Sequence, residues 1–250
     1  MISIRGVTHR YGDKTILADV ELDIAAGGVT ALVGANGAGK STLLNLVARL
    51  MPVQQGRITV DGLDVGTVPG RVLARKLAIL PQTQEVAPRL TVTELVGFGR
   101  YPHHQGRPGP ADRAMIDRAI ETLGLAAIAD RPLDSLSGGQ RQRAFVAMTF
   151  AQDTEYVLLD EPLNNLDIAA SRSLMKTLRS LAEEHGRTVV IVLHDINYAS
   201  AYADQMVTMV GGRLGRCGAP RAILTDSLLL DVFGTDAKVV EDAGQIMVKV

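Results

Sequence analysis

The amino-acid sequence predicts an α/β protein with a parallel-sheet core, an antiparallel β region and an inserted group of helices. Continuous apolar runs are typical of central parallel strands that are buried on both faces, and they occur at Val29–Val33, Tyr156–Leu159 and Thr188–Leu193. Near the N-terminus, apolar and polar residues alternate at Ile2–Ile4 and Val20–Ile24, which indicates strands of a half-exposed sheet. Between these two groups of strands the spacing of apolar residues becomes helical.

The remaining elements follow from helical spacing and from turn residues. A helix is predicted after the first buried strand, at Ser41–Leu50, and another at Ala169–Glu184, where it completes a βαβ unit. A hairpin is expected at Gln205–Cys217 because Gly211-Gly212 lies at its centre. The tail from Ser227 is predicted to form a short helix and two weak strands. The other predictions are a strand at Arg57–Val60, helices at Thr93–Gly99, Asp112–Leu123 and Gly139–Ala151, and loops at Pro102–Pro110 and Asp130–Ser137.

Composition and charge limit the classes of function. Of the 250 residues, 46% are hydrophobic and 21% are charged, as in globular rather than disordered proteins. The 26 basic and 27 acidic residues leave no basic excess, so we expect no nucleic-acid partner. The single cysteine, Cys217, is expected to be a small buried side chain. The chain has no secretory signal and no apolar run near the roughly 20 residues that cross a bilayer, which predicts a cytoplasmic location.

A glycine-rich segment joins the first buried strand to the helix that follows it. It reads Gly34-Ala35-Asn36-Gly37-Ala38-Gly39-Lys40-Ser41 and matches G-x-x-x-x-G-K-[ST] in the required strand–loop–helix context. Glycines let several backbone N–H groups converge on phosphate oxygens, and the helix start adds a partial positive charge. Lys40 is predicted to reach the β- and γ-phosphates, and Ser41 to bind Mg²⁺. The segment therefore predicts a phosphate-loop (RecA-like) NTPase fold. Its predicted nucleotide-binding residues are Gly34, Asn36, Gly37, Gly39, Lys40, Ser41 and Thr42.

Two adjacent carboxylates follow the buried strand at Tyr156–Leu159. Ligands gather at the carboxyl ends of parallel strands, so Asp160 is predicted to hold Mg²⁺ and Glu161 to activate the attacking water. Taken alone, an Asp-Glu pair after a strand is also a common solvated loop start. The phosphate loop upstream favours the functional interpretation.

A second glycine-rich helix start occurs at Leu136-Ser137-Gly138-Gly139-Gln140. Ser137 is suited to cap the helix, and the two glycines expose N–H groups at its positive end, which predicts a second anion site. A helix cap alone would explain Ser137 but not the glycines and the glutamine. These residues match the LSGGQ signature of the ABC ATPases, and the sequence resembles that family along essentially its whole length.

The resemblance assigns roles to further residues. Tyr11 resembles the aromatic residue that stacks on adenine, and Gln82 the glutamine that contacts Mg²⁺ or water and senses the membrane subunit. Asp167 ends a segment similar to the family's D-loop, and His194 resembles the switch histidine at the γ-phosphate. Singly, Tyr11 also fits an exposed turn, Gln82 a polar loop and His194 a strand cap. Their shared order along the chain is what carries the resemblance.

Family membership implies a dimer and a division of the chain. Two copies are expected to pack head to tail, with ATP between the phosphate loop of one copy and Ser137–Gln140 of the other. The single ABC domain, residues 1–250, is expected to comprise a core with a β subdomain, 1–88 and 151–250, and a helical subdomain, 89–150, that carries the signature. Hydrolysis is expected to be coupled to separate membrane permease subunits, and indirectly to a substrate-binding protein, at the cytoplasmic face of the membrane.

Two segments indicate a subgroup. Gly99–His103, with Leu95-Val96 before it, is similar to the ATPases of iron–siderophore, haem and vitamin B12 importers, and Glu161–Asp167 resembles one siderophore branch. Asn164-Asn165 departs from the Ser-Ala or Thr-Ser that many family members carry, which leaves the D-loop contacts open. The adjacent His103 and His104 are not expected to bind a metal, because neighbouring residues rarely converge on one ion. An ABC ATPase for another cargo, or one acting in translation or DNA repair, remains the alternative; no heptad run supports the latter.

Overall fold

The computed structural model describes residues 1–83, 89–242 and 244–249 as an α/β fold in which helices flank three sheets. The strands are β1 Ile2–Tyr11, β2 Lys14–Ile24, β3 Gly28–Val33, β4 Gln55–Val60, β5 Leu63–Asp64, β6 Leu77–Leu80, β7 Tyr156–Asp160, β8 Thr188–Val192, β9 Gln205–Val210, β10 Arg213–Gly218, β11 Lys238–Asp242 and β12 Gln245–Lys249. The α-helices are α1 Lys40–Val47, α2 Gly70–Lys76, α3 Val92–Phe98, α4 Tyr101–His104, α5 Pro110–Thr122, α6 Gly138–Ala151, α7 Ile168–His185, α8 Ile196–Tyr202, α9 Pro220–Ile223 and α10 Asp226–Phe233.

The central sheet has the order β10-β9-β3-β8-β7-β6, and every pairing in it is parallel except that of β10 with β9. Successive residues of β3 enter different cores: Ala31 packs on the side of α6 and α7, and Leu32 on the side of α1. Burial on both faces explains the continuous apolar runs in the sequence. The predicted parallel core and its βαβ unit, β7-α7-β8, are confirmed.

An antiparallel sheet of order β2-β1-β4-β5 lies over the other side of α1. Alternate residues of β1, such as Ile2 and Ile4, are fully buried in the same core as Leu43 and Leu44 of α1. This alternation is the period of a strand with one face on the core. The antiparallel β region predicted from the sequence is confirmed, and it extends to Tyr11 at the edge of the phosphate loop.

The helices α3, α5 and α6 pack together beside the central sheet, as the helical pattern predicted. Thr91 and Glu94 form a reciprocal cap at the start of α3, and Ser137 and Gln140 form one at the start of α6. The boundary predicted between residues 88 and 89 borders residues 84–88, which lie outside the described part of the chain.

Two local predictions are wrong. Part of the predicted loop Pro102–Pro110 is helical, since α4 spans Tyr101–His104. Tertiary contacts explain this, because Arg100 Nη1 donates to Ala151 O over 2.9 Å and holds the start of α4 against the end of α6. Cys217 is exposed rather than buried, because β10 is the outermost strand of the sheet.

Within residues 1–83, 89–242 and 244–249, none of the helices combines the length and the apolar character needed to span a bilayer.

Candidate active site

The phosphate loop connects the carboxyl end of β3 to the first residue of α1. Gly34 has φ +150°, and a Cβ atom there would lie 2.3 Å from the Met209 carbonyl oxygen of β9. Gly39 has φ +99°, and its Cβ would lie 2.7 Å from Leu17 Cδ2. Only glycine fits both positions, since each combines a left-handed backbone with a close neighbour. The pattern's glycines are therefore required by the path of the loop itself.

Lys40 is buried, and its ammonium group points back into the loop. Its Nζ donates to Gly34 O over 2.7 Å and to Ala35 O over 3.0 Å. Burial lowers the pKa of Lys40, against the attraction of Glu161 and Asp160, which raises it. A cation whose hydration is already lost and whose partners are neutral carbonyls is suited to receive a phosphate anion.

Ser41 joins the phosphate loop to the end of β7. Its hydroxyl donates to Asp160 Oδ1 over 2.9 Å. Asp160 is only 1% exposed, and among the described residues its Oδ2 has no hydrogen-bond partner. Burial raises the pKa of Asp160, and the Ser41 hydrogen bond opposes that shift only in part. A buried anion with a free oxygen beside a hydroxyl is the oxygen donor set that a small divalent cation requires.

Glu161 is held by three side chains. Its Oε1 lies 2.6 Å from His194 Nε2, and its Oε2 accepts from Gln82 Nε2 and from Asn164 Nδ2, each over 2.8 Å. Burial alone would raise the pKa of Glu161, but the hydrogen bonds from Asn164, Gln82 and His194 outweigh it and lower the pKa. Glu161 also has φ +52°, a conformation that costs energy for a side chain of this size.

These groups surround one open cleft of about 440 Å³. Tyr11 stands at its rim, half exposed, with its ring edge-to-face on His9 at a centroid distance of 5.2 Å. An exposed aromatic face beside a phosphate loop is suited to stack on a nucleobase. The lining residues are Tyr11, Lys14, Ile16, Asn36, Gly37, Ala38, Gly39, Lys40, Ser41, Thr42, Gln82, Glu161 and His194.

The signature residues Ser137–Gln140 and Asp167 do not line this cleft in the described part of the chain. Ser137 Oγ accepts from Gln140 N over 3.2 Å, so the serine caps α6. Asp167 Oδ1 accepts from Ala170 N over 2.7 Å and caps α7. Gly139 lies against the D-loop segment, where an added Cβ would be 3.2 Å from Asn165 O. Within one chain, the structure thus brings the phosphate loop together with Gln82, Asp160, Glu161 and His194, but not with the signature.

Four residues at the site were not among those predicted: Lys14, Ile16 and Ala38, which line the cleft, and Asn164, which contacts Glu161. Lys14 and Ile16 line the cleft because β2 pairs with β1 and returns past Tyr11. A hairpin around Gly12-Asp13 was the signal that would have located them. Asn164 contacts Glu161 through a turn in which Asn164 N donates to Glu161 O over 3.2 Å. No local pattern gives that contact.

Comparisons with known proteins identify the family of the chain. The family profile described as ABC transporter matches residues 17–164. The petrobactin import ATP-binding protein YclP of Bacillus subtilis is 45% identical over 93% of this chain and 92% of its own length. The achromobactin transport ATP-binding protein CbrD of Dickeya dadantii is 42% identical over 96% of this chain and 90% of its own. The ferric enterobactin transport ATP-binding protein FepC of Escherichia coli is 37% identical over 94% of this chain and 88% of its own length.

Solved structures give the same result for the fold. An inward-facing transporter described as of the metal-chelate type superposes with a TM-score of 0.83 at 27% identity, over 99% of this chain and 95% of that one. The dimeric ATP-binding cassette MJ0796 with ADP and phosphate superposes with a TM-score of 0.79 at 28% identity, over 88% of this chain and 98% of that one. The predicted phosphate-loop NTPase fold is confirmed. The chain therefore belongs to the ABC transporter family, as an ATP-binding subunit that hydrolyses ATP to drive transport.

Proposed function

We propose that this chain powers the import of a ferric siderophore by hydrolysing Mg-ATP in a head-to-tail dimer attached to separate permease subunits. The observation that carries the proposal is the convergence of Lys40, the Ser41–Asp160 pair and Glu161 on one cleft. The cargo class is supported by relatives at 37–45% identity whose names specify petrobactin, achromobactin or enterobactin.

Nucleotide binding is proposed to use the groups that line the cleft. Lys40 exchanges the carbonyls of Gly34 and Ala35 for phosphate oxygens, while the loop N–H groups and the start of α1 supply further positive potential. Tyr11 stacks on the adenine ring. Thr42 and Asn36 line the same cleft and complete the phosphate contacts.

Magnesium fits the residues at the end of β7. Ser41, Asp160 and Gln82 would hold it, and the unpartnered buried oxygen of Asp160 is the feature that supports this assignment. When bound, the ion offsets the charge of the phosphates. The Ser41–Asp160 hydrogen bond keeps both oxygens at the same edge of the sheet beforehand.

Glu161 is proposed to orient the attacking water and accept its proton, with His194 at the γ-phosphate. Both side chains already meet at the rim of the cleft, 2.6 Å apart. The lowered pKa of Glu161 keeps it ionised, as a general base must be. Gln82, which contacts the same carboxylate, follows β6 and is proposed to report on the permease.

A second copy is proposed to complete each site. Ser137–Gln140 and Asp167 lie outside the cleft of their own chain, yet Ser137, Gly138 and Gly139 form a capped, glycine-rich helix start of the kind that binds anions. The named relative MJ0796 was solved as a dimer. We propose that this helix start closes over the phosphates held by the partner's Lys40 loop.

The permease is proposed to dock beside α4. Val72, Phe98 and Tyr101 are large apolar side chains that are 44%, 55% and 59% exposed. Arg71 Nε donates to Pro102 O over 3.1 Å and joins α2, which carries Val72, to α4, which carries Tyr101. An apolar patch of this kind is typical of a protein interface. The residues 89–150 are proposed to act as the helical subdomain that carries this surface and the signature, with the dimer held at the cytoplasmic face of the membrane.

The catalytic assignment is tested with Glu161→Gln. We expect ATP turnover to fall at least about 100-fold, because the base is lost, while Mg-ATP binding is retained. Turnover is measured by phosphate release and binding by calorimetry, with Lys176→Ala, an exposed residue of α7, as the control. Turnover at the unmodified level in Glu161→Gln would show that another group activates the water.

The cargo is tested in cells that lack the gene. We expect uptake of radioactive iron carried by a siderophore to be lost on deletion, restored by the unmodified gene and not restored by Lys40→Ala. Unchanged uptake of every siderophore tested, with ATP turnover of the purified chain intact, would assign the ATPase to a different cargo.

A further inference from the structure

Asn164 makes a contact that the proposed roles leave unexplained. Its Nδ2 donates to Glu161 Oε2 over 2.8 Å, on the same oxygen that accepts from Gln82. Among the described residues, Glu161 is the one side-chain partner of Asn164. The asparagine does not line the 440 Å³ cleft itself, so its contact is with the carboxylate rather than with bound nucleotide.

The other two partners of Glu161 have a second task during turnover. The proposed function requires His194 to reach the γ-phosphate and Gln82 to reach the metal or water. A side chain that turns toward the nucleotide gives up some of its contact with Glu161. Asn164 lies outside the cleft, so it can keep its contact with Glu161 without turning toward the nucleotide.

The turn that carries Asn164 is fixed at both ends. Asn164 N donates to Glu161 O over 3.2 Å, and Leu166 N donates to the Leu163 carbonyl over 3.1 Å. Gln142 of α6 donates its Nε2 to Pro162 O over 3.2 Å in a buried contact. These bonds tie the turn to its own start and to the signature helix, and they do not pass through Gln82 or His194.

We propose that Asn164 is a positioning residue for ATP hydrolysis, whose side-chain amide orients the Glu161 carboxylate while Gln82 and His194 engage the nucleotide. The inference rests on the proposed role of Glu161 as the base. Without the amide, the Glu161 side chain rotates away from the orientation that activates water. The chemical step slows, and ATP binding stays as it was.

The test compares Asn164→Ala, which removes the amide, with Asn164→Asp, which keeps its size but cannot donate and adds a like charge. We expect kcat to fall about tenfold in Asn164→Ala and further in Asn164→Asp, with KM for ATP within about twofold of the unmodified chain. A packing role gives the reverse order, because aspartate fills the same space as asparagine and alanine does not. Lys176→Ala is the control and keeps both constants.

Glu161→Gln separates this inference from the proposed function. If Glu161→Gln is inactive while both Asn164 variants keep the unmodified kcat, the role of Asn164 is overturned and that of Glu161 stands. If Glu161→Gln retains turnover, the proposed base itself is wrong. An increase of KM with unchanged kcat would also overturn the inference, because it would make Asn164 a nucleotide contact.

Discussion

Asp160→Asn is expected to make the nucleotide-free chain more stable while it abolishes activity. Asp160 is 1% exposed, and in the described part of the chain its carboxylate accepts one side-chain hydrogen bond, from Ser41. Its Oδ2 lacks a partner among the described residues, so a negative charge is buried with one of its two oxygens unpartnered. Asparagine keeps the acceptor that Ser41 needs and removes the charge.

The size of the stability gain expected for Asp160→Asn follows from the free-energy cost of burying a polar group without a hydrogen-bond partner. A neutral unpartnered polar group costs about 1–3 kcal/mol, and a charged one costs more. In Asp160→Asn the amide still occupies the unpartnered position, so the substitution removes only the extra cost that is due to the charge. The favourable attraction between Asp160 and Lys40 is lost at the same time and reduces the gain. We expect a net gain of about 1 kcal/mol, which for a chain of this length raises Tm by about 2–4 °C.

The assay is thermal unfolding at pH 7 in the presence of EDTA, so that no divalent ion occupies the site. Asp117→Asn, a change at an exposed carboxylate of α5, is the matched control and is expected to leave Tm unchanged. ATP turnover of Asp160→Asn is measured in parallel and is expected to be lost. A Tm below that of the unmodified chain, with Asp117→Asn unaffected, would refute the argument that the site stores an uncompensated charge.

Two further predictions concern ion pairs away from the cleft. Burial alone would raise the pKa of Asp61, but hydrogen bonds from the N-terminal amine, Tyr156 and Lys76 outweigh it and hold the pKa well below its ordinary 3.8. Asp61→Asn should therefore lower the free energy of unfolding in urea at pH 7, and the loss should shrink progressively as the pH falls through 3.8 and below. A difference between the two chains that stays constant with pH would contradict this. Asp112 pairs with buried Arg100 over 3.1 Å, so Asp112→Leu should cost about 3 kcal/mol. In the same unfolding assay, the double variant Asp112→Leu/Arg100→Leu should lose less stability than Asp112→Leu alone, because no unpaired charge is then buried. A loss equal to or larger than that of the single variant would refute the pairing.

The sequence predicted the central sheet because burial on both faces leaves a strong pattern, as in β3 and β8. It gave no assignment for α2 and β6, at Gly70–Lys76 and Leu77–Leu80. The four apolar residues of β6 follow α2 without a break, and so short a run does not distinguish a strand from the end of a helix. The helix α4 was missed for a different reason, since its contacts with α6 join residues about 50 positions apart.

The residues of the candidate site also divide into those that a local sequence pattern predicts and those whose contacts depend on the fold. The loop around Lys40 and the pair Asp160-Glu161 were predictable, because their chemistry depends on residue types at fixed spacing next to a strand end. The family resemblance also identified Gln82 and His194, but not their contacts with Glu161, because the two residues come from separate loops that only the sheet order β8-β7-β6 brings side by side. The caps made by Ser137 and Asp167 are visible in the sequence as helix starts.

The claim that each ATP is shared between two copies is tested most directly by mixing two inactive variants. Lys40→Ala removes phosphate binding by the loop and leaves the signature intact. Ser137→Arg blocks the signature and leaves the phosphate loop intact. A mixed dimer then contains one complete site, so mixing should restore up to about a quarter of the unmodified ATP turnover, since random pairing makes half the dimers mixed. If the mixture stays as inactive as its two components while each variant remains folded, phosphate loop and signature do not act across a dimer.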